Sequence, residues 1–482
     1  MKRSKKIYIL LGVLAVACIA TFGVIRLEDH KEQIKNSGEI ILEVPSDSVQ
    51  SLSWKNESGT FAFHKDEKWI YDEDEDFPVD EEKINEFLKQ FQAFGVSFVI
   101  EGVKDYGQYG LDDPVCTINL ATEDKSYKIL LGNYSKMDSE RYVSIGDGNV
   151  YLVKNDPLDY FDAVLSDMID HDETPKFDRV TKIQFRGDED YSIVYEEDSA
   201  NTYCADDVYF AQQDGKKLPL DTSRVGQYLG NISNLNLTDY VTYNVTEKGL
   251  RKYGLDAPEL TVTMDYTSEN EDGDETSDTF VLNISRDPKE KKTAEEAAKK
   301  EEKKTAKETA KEESDSSEEE EITAYARVGE SQIVYQISSD DYKELMAASY
   351  DSLRHPEVLS ADFADISQID ISLEGNDYTI TSEKKRDKRN YFYGEEELEI
   401  ADFQNALEAL SADSFTDEQP TQKEEISLTV YLDNENYPKV QIKLYQYDGT
   451  HCLAVVDGKP VSLINRSNVV DLIEAVHAIV LN

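Results

Sequence analysis

One order of hydrophobic patterns recurs three times along this chain, over residues 40–171, 177–353 and 364–480. Such a repeat constrains the fold more than any single motif, because each copy must build the same elements around its own core. Each copy opens with alternating apolar and polar residues, the period of a strand with one buried face. These segments read ILEVPSDSVQSLSW and FAFHKDEKWIY in the first copy; VTKIQFRG, YSIVYEE and DVYFAQ in the second; ISQIDISLEG, YTITSEK and NYFYG in the third. A polar approach then leads into a helix, at 77–94, 218–235 and 398–410. Asp80 and Asp221 stand where a carboxylate caps the free N–H groups of a first turn. Ile84, Phe87, Leu88 and Phe91 fall on one helical stripe. Each copy closes with a hairpin and a second helix: YVSIGDGNVYLV then DPLDYFDAVLSDMI, ARVGESQIVYQI then SSDDYKELMAASYDSL, LAVVDGKPVSLI then NRSNVVDLIEAVHAI. The expected fold class is α+β, with three repeated mixed units of antiparallel strands and two helices each, following one N-terminal transmembrane helix.

Between helix and second hairpin, two copies share a hexapeptide. Tyr109-Gly110-Leu111-Asp112-Asp113-Pro114 and Tyr253-Gly254-Leu255-Asp256-Ala257-Pro258 each precede a strand. They read as helix stops: Gly takes the left-handed position, Leu packs back on Tyr106 or Leu250, and Pro prevents continuation. Tyr109, Gly110, Leu111, Asp112 and Pro114, with Tyr253, Gly254, Leu255, Asp256 and Pro258, are therefore assigned as structural turn positions. The third copy offers only Pro420 at this point. The second copy also carries a charged low-complexity insertion, 286–321, whose only apolar residues are Ala and one Pro. It cannot bury a core and reads as an enlarged surface hairpin loop, with a docking arm as the alternative.

The transmembrane helix is expected from Ile7 to Ile25, a run without charge that spans roughly 28 Å as a helix, close to the bilayer core of about 30 Å. Lys2, Arg3, Lys5 and Lys6 precede it, which places residues 1–6 in the cytoplasm, 26–39 as a juxtamembrane linker, and the remainder outside the cell membrane. A cleaved signal peptide, or lipidation at Cys18, is the alternative. A net charge of −49 makes nucleic acid and anionic lipid poor partners for the bulk of the surface. Cys116, Cys204 and Cys452 are too few and too scattered for a disulfide framework, which is more typical of a bacterial surface.

The sequence offers little chemistry. His30, His64, His171, His355, His451 and His477 show no metal-ligand spacing, and no C-x-x-C, nucleophile elbow, P-loop or dinucleotide fingerprint is present. The three thiols read as small strand-packing residues. Gly146-Asp147-Gly148 lies between two strands and reads as a hairpin turn. Asp72–Asp76 and Glu269–Asp274 could attract calcium, but neither forms an EF-hand loop. No catalytic, cofactor-binding or metal residue is assigned, and the chain is read as not an enzyme.

YGLDDPVCTINL and LLGNYSKMDSERYVSIGDGNVYLV in the first copy, with YGLDAPELTVTM in the second, resemble a bacterial family catalogued as DUF4340. The resemblance implies a single-anchor exported protein, often encoded beside ABC transporter components of the gliding-motility type, with no catalytic residues to carry over. The expected function is a membrane-anchored, extracytoplasmic, non-enzymatic scaffold or accessory, with ABC transporter subunits as partners. A module binding cell-wall glycan or peptide through exposed aromatics such as Trp54, Trp69 and Tyr71 is the alternative, although most of those aromatics read first as core residues. A hydrolase comes third.

Overall fold

The computed structural model describes residues 39–480 except 102, 214, 271, 295, 297–320 and 387. The chain divides into two compact units, one ending at His171 and one beginning at Asp172.

In the first unit, alternation along Val49–Lys55 turns Leu52 and Trp54 into the core and leaves Ser51 and Ser53 half-exposed. Its neighbours repeat the pattern, giving an eight-stranded antiparallel sheet. The order is Trp69–Tyr71, Thr60–Lys65, Val49–Lys55, Cys116–Thr122, Ser126–Ser135, Glu140–Ser144, Val150–Val153 and Phe98–Ile100. The helix Glu81–Lys89 buries Ile84, Phe87 and Leu88. It begins where the Asp80 carboxylate accepts the Lys83 N–H at 2.9 Å. A separate two-stranded ladder pairs Glu39–Leu42 with Phe94–Val96.

The second unit contains two nine-stranded sheets. The first is ordered Lys216–Pro219, Tyr209–Gln213, Tyr191–Tyr195, Arg179–Arg186, Leu260–Glu269, Glu275–Arg286, Ala324–Val328, Val334–Ile337 and Tyr240–Thr242. The second runs Glu396–Glu397, Lys388–Tyr393, Asn376–Lys385, Ile366–Leu373, Glu424–Leu432, Lys439–Gln446, His451–Val456, Lys459–Asn465 and Ala412–Phe415. One rule generates both. The chain enters at the centre, meanders to one edge, forms a helix, and lays a short strand at the opposite edge. It then returns to the centre and meanders out to meet that strand. The first unit follows the same rule with one edge strand fewer. The shared order includes the third repeat, which has no Tyr-Gly-Leu-Asp turn.

Helical segments accompany each sheet. Thr222–Ser233 starts at Asp221, whose carboxylate accepts the Ser223 and Arg224 N–H groups. In the third repeat, Phe403 and Leu407 from Ala401–Glu408 join Val469, Leu472 and Val476 from Arg466–Val480 in one core with Ile369, Ile371, Val430 and Ile442. The insertion leaves from a closed ladder, in which the pairing of Leu282 with Val328 continues to Arg286 with Ala324. Most of 286–321 lies outside the described residues.

Two expectations are corrected. The fold is predominantly antiparallel β, built on four sheets, rather than the expected α+β class. The missed strands are short edge pieces such as Lys216–Pro219 and Glu396–Glu397, whose charged side chains face solvent and carry no period-2 signal. The closing helices are also weaker than expected. The first contracts to Leu158–Phe161 plus one 3-10 turn, and the second splits into Ser339–Met346 and Tyr350–Leu353. As for the transmembrane helix, no described helix is long and apolar enough to cross a membrane, and residues 7–25 lie outside the described residues.

Candidate functional site

The sequence-assigned turn residues form backbone junctions. A single 3-10 turn, Gly107–Tyr109, ends at Gly110 with φ 70°, and the Leu111 N–H returns to the Tyr106 carbonyl at 3.1 Å. In the second repeat the turn Leu250–Lys252 passes through Tyr253 to Gly254 with φ 74°, and Leu255 donates to Leu250 at 3.1 Å. These stops therefore end 3-10 turns rather than α-helices. Glycine is favoured twice over: a left-handed backbone disfavours any Cβ, and one would crowd a neighbouring side chain. A Cβ on Gly110 would sit 2.5 Å from Asn133 Oδ1, and one on Gly254 would sit 2.9 Å from Ser285 Oγ. Leu111 is buried, and Leu255 packs with Leu250, Tyr253 and Val334. Asp256 pairs with Arg251 at 3.2 Å, Asp112 lies against Gly107, and Pro114 and Pro258 lead into the strands Cys116–Thr122 and Leu260–Glu269.

The residue after Pro258 anchors this turn in the second repeat. The Glu259 carboxylate accepts the Arg286 N–H at 2.8 Å and the Tyr342 hydroxyl at 2.9 Å, and pairs with Lys291 at 2.7 Å. Burial pushes its pKa up, but Lys291 and the donors from Arg286 and Tyr342 outweigh that and lower it below the ordinary carboxylate value. A depressed carboxylate contributes its full stability above the unfolded-state pKa and loses it as pH falls through the folded value. Glu259→Gln is therefore expected to cost about 1.5–3 kcal/mol at neutral pH. The gap to the parent should close in acid. Urea midpoints at both pH values check this; a gap that persists in acid would mean shape, not charge, is what counts.

Other sequence candidates fall into structural roles. Trp54, Trp69 and Tyr71 are 0, 2 and 5 % exposed, so these aromatics are core residues, as their first reading has it, and do not face a glycan. Gly146-Asp147-Gly148 turns between Glu140–Ser144 and Val150–Val153, where Asp147 accepts the Tyr151 hydroxyl. In the first acidic run, Asp72 pairs with His64 at 2.6 Å, and Asp74 accepts the Asp76 N–H. In the second, the Asn270 side chain accepts the Asp272 and Asp274 N–H groups. Cys116 and Cys452 are buried in strands.

Cys204 is different. It lies in the loop 202–207, which reaches from the second repeat into the third: Tyr203 packs on the third repeat's core and meets Tyr437 edge-on at 5.7 Å. The linker leaving the second repeat arrives at the same place. Arg354 donates to the Val461 carbonyl at 3.1 Å with its guanidinium 3.7 Å from the centre of the Phe415 ring, while Pro356 accepts the Ala412 N–H at 2.7 Å. Between these anchors His355 meets the loop. Its Nε2 lies 2.8 Å from Asp207 Oδ1, and its Nδ1 lies 3.7 Å from Glu357 Oε2. Asp207 Oδ2 accepts the Thr202 hydroxyl at 2.6 Å, and that hydroxyl oxygen in turn accepts the Cys204 N–H at 3.0 Å.

The Asp207 side chain is 1 % exposed and that of His355 18 %. Burial pushes the His355 pKa down, but the hydrogen bond and charge of Asp207, with Asp221 and Glu357, overcome it and raise the value above 6.5. Burial also drives the Cys204 thiol up to about 11, so at neutral pH it is a thiol and a poor nucleophile. Among the described residues, Cys204, Asp207 and His355 form one group with metal-ligand chemistry, their donor atoms all within 4.8 Å of one another. Sequence reasoning missed it. The local half, Cys-x-x-Asp, was visible; the histidine lies 148 residues from Asp207.

A family model described as "Domain of unknown function (DUF4340)" matches residues 69–258 and again 212–429. Each match begins in the first half of one repeat and ends in the next. No curated protein matches the chain.

Proposed function

This chain belongs to the DUF4340 family, and on that premise we propose that it is a non-enzymatic accessory protein that offers repeated sheet units to a partner complex. The observation that carries this reading is one strand order built three times from diverged sequences. Repetition multiplies contact surface, and linked surfaces raise the effective concentration of the second contact. The family resemblance points to ABC transporter subunits as the partner class.

The test is crosslinking in intact cells, followed by purification of the tagged full chain in mild detergent and mass spectrometry. Transporter subunits should be recovered as crosslinked peptides on the exposed sheet residues. Recovery of the chain alone, in repeated preparations with efficient crosslinking, overturns the proposal.

A further inference from the structure

We propose that Cys204, Asp207 and His355 are ligands for a divalent transition metal, zinc fitting best, which fastens the second repeat to the third. A thiolate, an imidazole nitrogen and a carboxylate oxygen converge here, each a zinc ligand, and the sulfur disfavours magnesium and calcium. In tetrahedral zinc the ligand atoms sit about 3.3–3.7 Å apart, given bonds of about 2.0–2.3 Å. The three donor atoms already lie within 4.8 Å of one another. Asp207 Oδ1 and His355 Nε2, now 2.8 Å apart, would have to part by about half an ångström to admit the ion.

The surroundings are those a metal site needs. Thr202 holds Asp207 Oδ2 at 2.6 Å, which leaves Oδ1 facing His355. Glu357 lies on the Nδ1 side of His355 at 3.7 Å, and a metal-bound histidine commonly gives its other N–H to a carboxylate. Cys204 is half-buried, so the ion has a way in. As the metal binds, the Cys204 thiol proton and the His355 Nε2 proton leave to solvent, and Asp207 Oδ1 exchanges the His355 donor for the ion while Oδ2 keeps Thr202. Three protein ligands leave a fourth position open for water. The consequence is mechanical: two ligands lie on the loop that carries Tyr203 into the third repeat, and the third lies on the linker between repeats.

The test uses the full chain stripped with a chelator, then titrated with Zn2+ or Co2+ in excess Mg2+, which occupies the many surface carboxylates. One equivalent should bind. Bound Co2+ should show a thiolate charge-transfer band, and Zn2+ should raise the unfolding midpoint. Cys204→Ser should abolish the band, and Glu357→Gln should keep the stoichiometry while weakening affinity roughly 10–100-fold. Matching circular dichroism of the metal-free variants excludes misfolding as the cause. Absence of the cobalt band, or a band that survives Cys204→Ser, overturns the proposal.

Discussion

Asp207→Ala is expected to destabilise the second compact unit by about 3–5 kcal/mol in metal-free buffer, the range for removing one partner of a buried ion pair. The estimate rests on geometry. The Asp207 side chain is 1 % exposed and takes His355 Nε2 at 2.8 Å and the Thr202 hydroxyl at 2.6 Å. Truncation strands both donors where little water reaches. Asp207→Asn should cost less, because an amide oxygen still accepts from Thr202. In the double variant with His355→Ala, the penalty should shrink relative to the sum of the singles, since the two residues share one hydrogen bond and neither is left stranded. Urea unfolding followed by circular dichroism is the measurement. A loss below 1 kcal/mol, on the order of a surface pair, would show that the network does not hold the two repeats.

Trp54→Ala should be comparably severe in the first unit, about 3–5 kcal/mol as for other buried tryptophans. Trp54 is fully buried, stacked on Phe63 at 5.4 Å and edge-on to Phe87 and Phe161 at 5.6 and 5.8 Å. Its Nε1 donates to the Ala163 carbonyl at 3.1 Å, so it ties the central strand to the segment after the second helix. Trp54→Phe should be much milder. It keeps most of the packing, and Asn56 Nδ2 still donates to the same carbonyl at 3.1 Å. The chain has two tryptophans, both in this unit, so Trp69 fluorescence follows its unfolding in either variant. Equal losses for Ala and Phe would mean the indole N–H matters more than the ring stack.

The reach of the sequence can be judged from these residues. The turn at Gly110 and Gly254 was legible because its chemistry is local: a left-handed backbone, a returning N–H and a proline all lie within six positions. The helix stripe of Ile84, Phe87 and Leu88 was legible for the same reason. Trp54 was legible too, since it shares the inward phase of its strand with Leu52, and its core reading stands over the ligand-binding alternative. Edge strands were not legible, because two to four residues such as Glu396–Glu397 are too few to display a period. The Cys204, Asp207 and His355 cluster was out of reach for a different reason. It exists only because a loop of one repeat and the linker after it meet on the next repeat, and no local pattern encodes that meeting.

The ladder that closes at Arg286 and Ala324 has a practical meaning. Its two ends are held as partners across a strand pair, and Glu290 ties down Thr323 just outside it at 2.7 and 3.0 Å. Whatever polypeptide joins those ends starts and finishes at one fixed point on the sheet. Doubling such a connection costs only about 0.6 kcal/mol in closure entropy. The ladder end at Arg286 and Ala324 is thus a port: an epitope, a fluorescent domain or a crosslinker spliced between its two strands should leave both nine-stranded sheets in register.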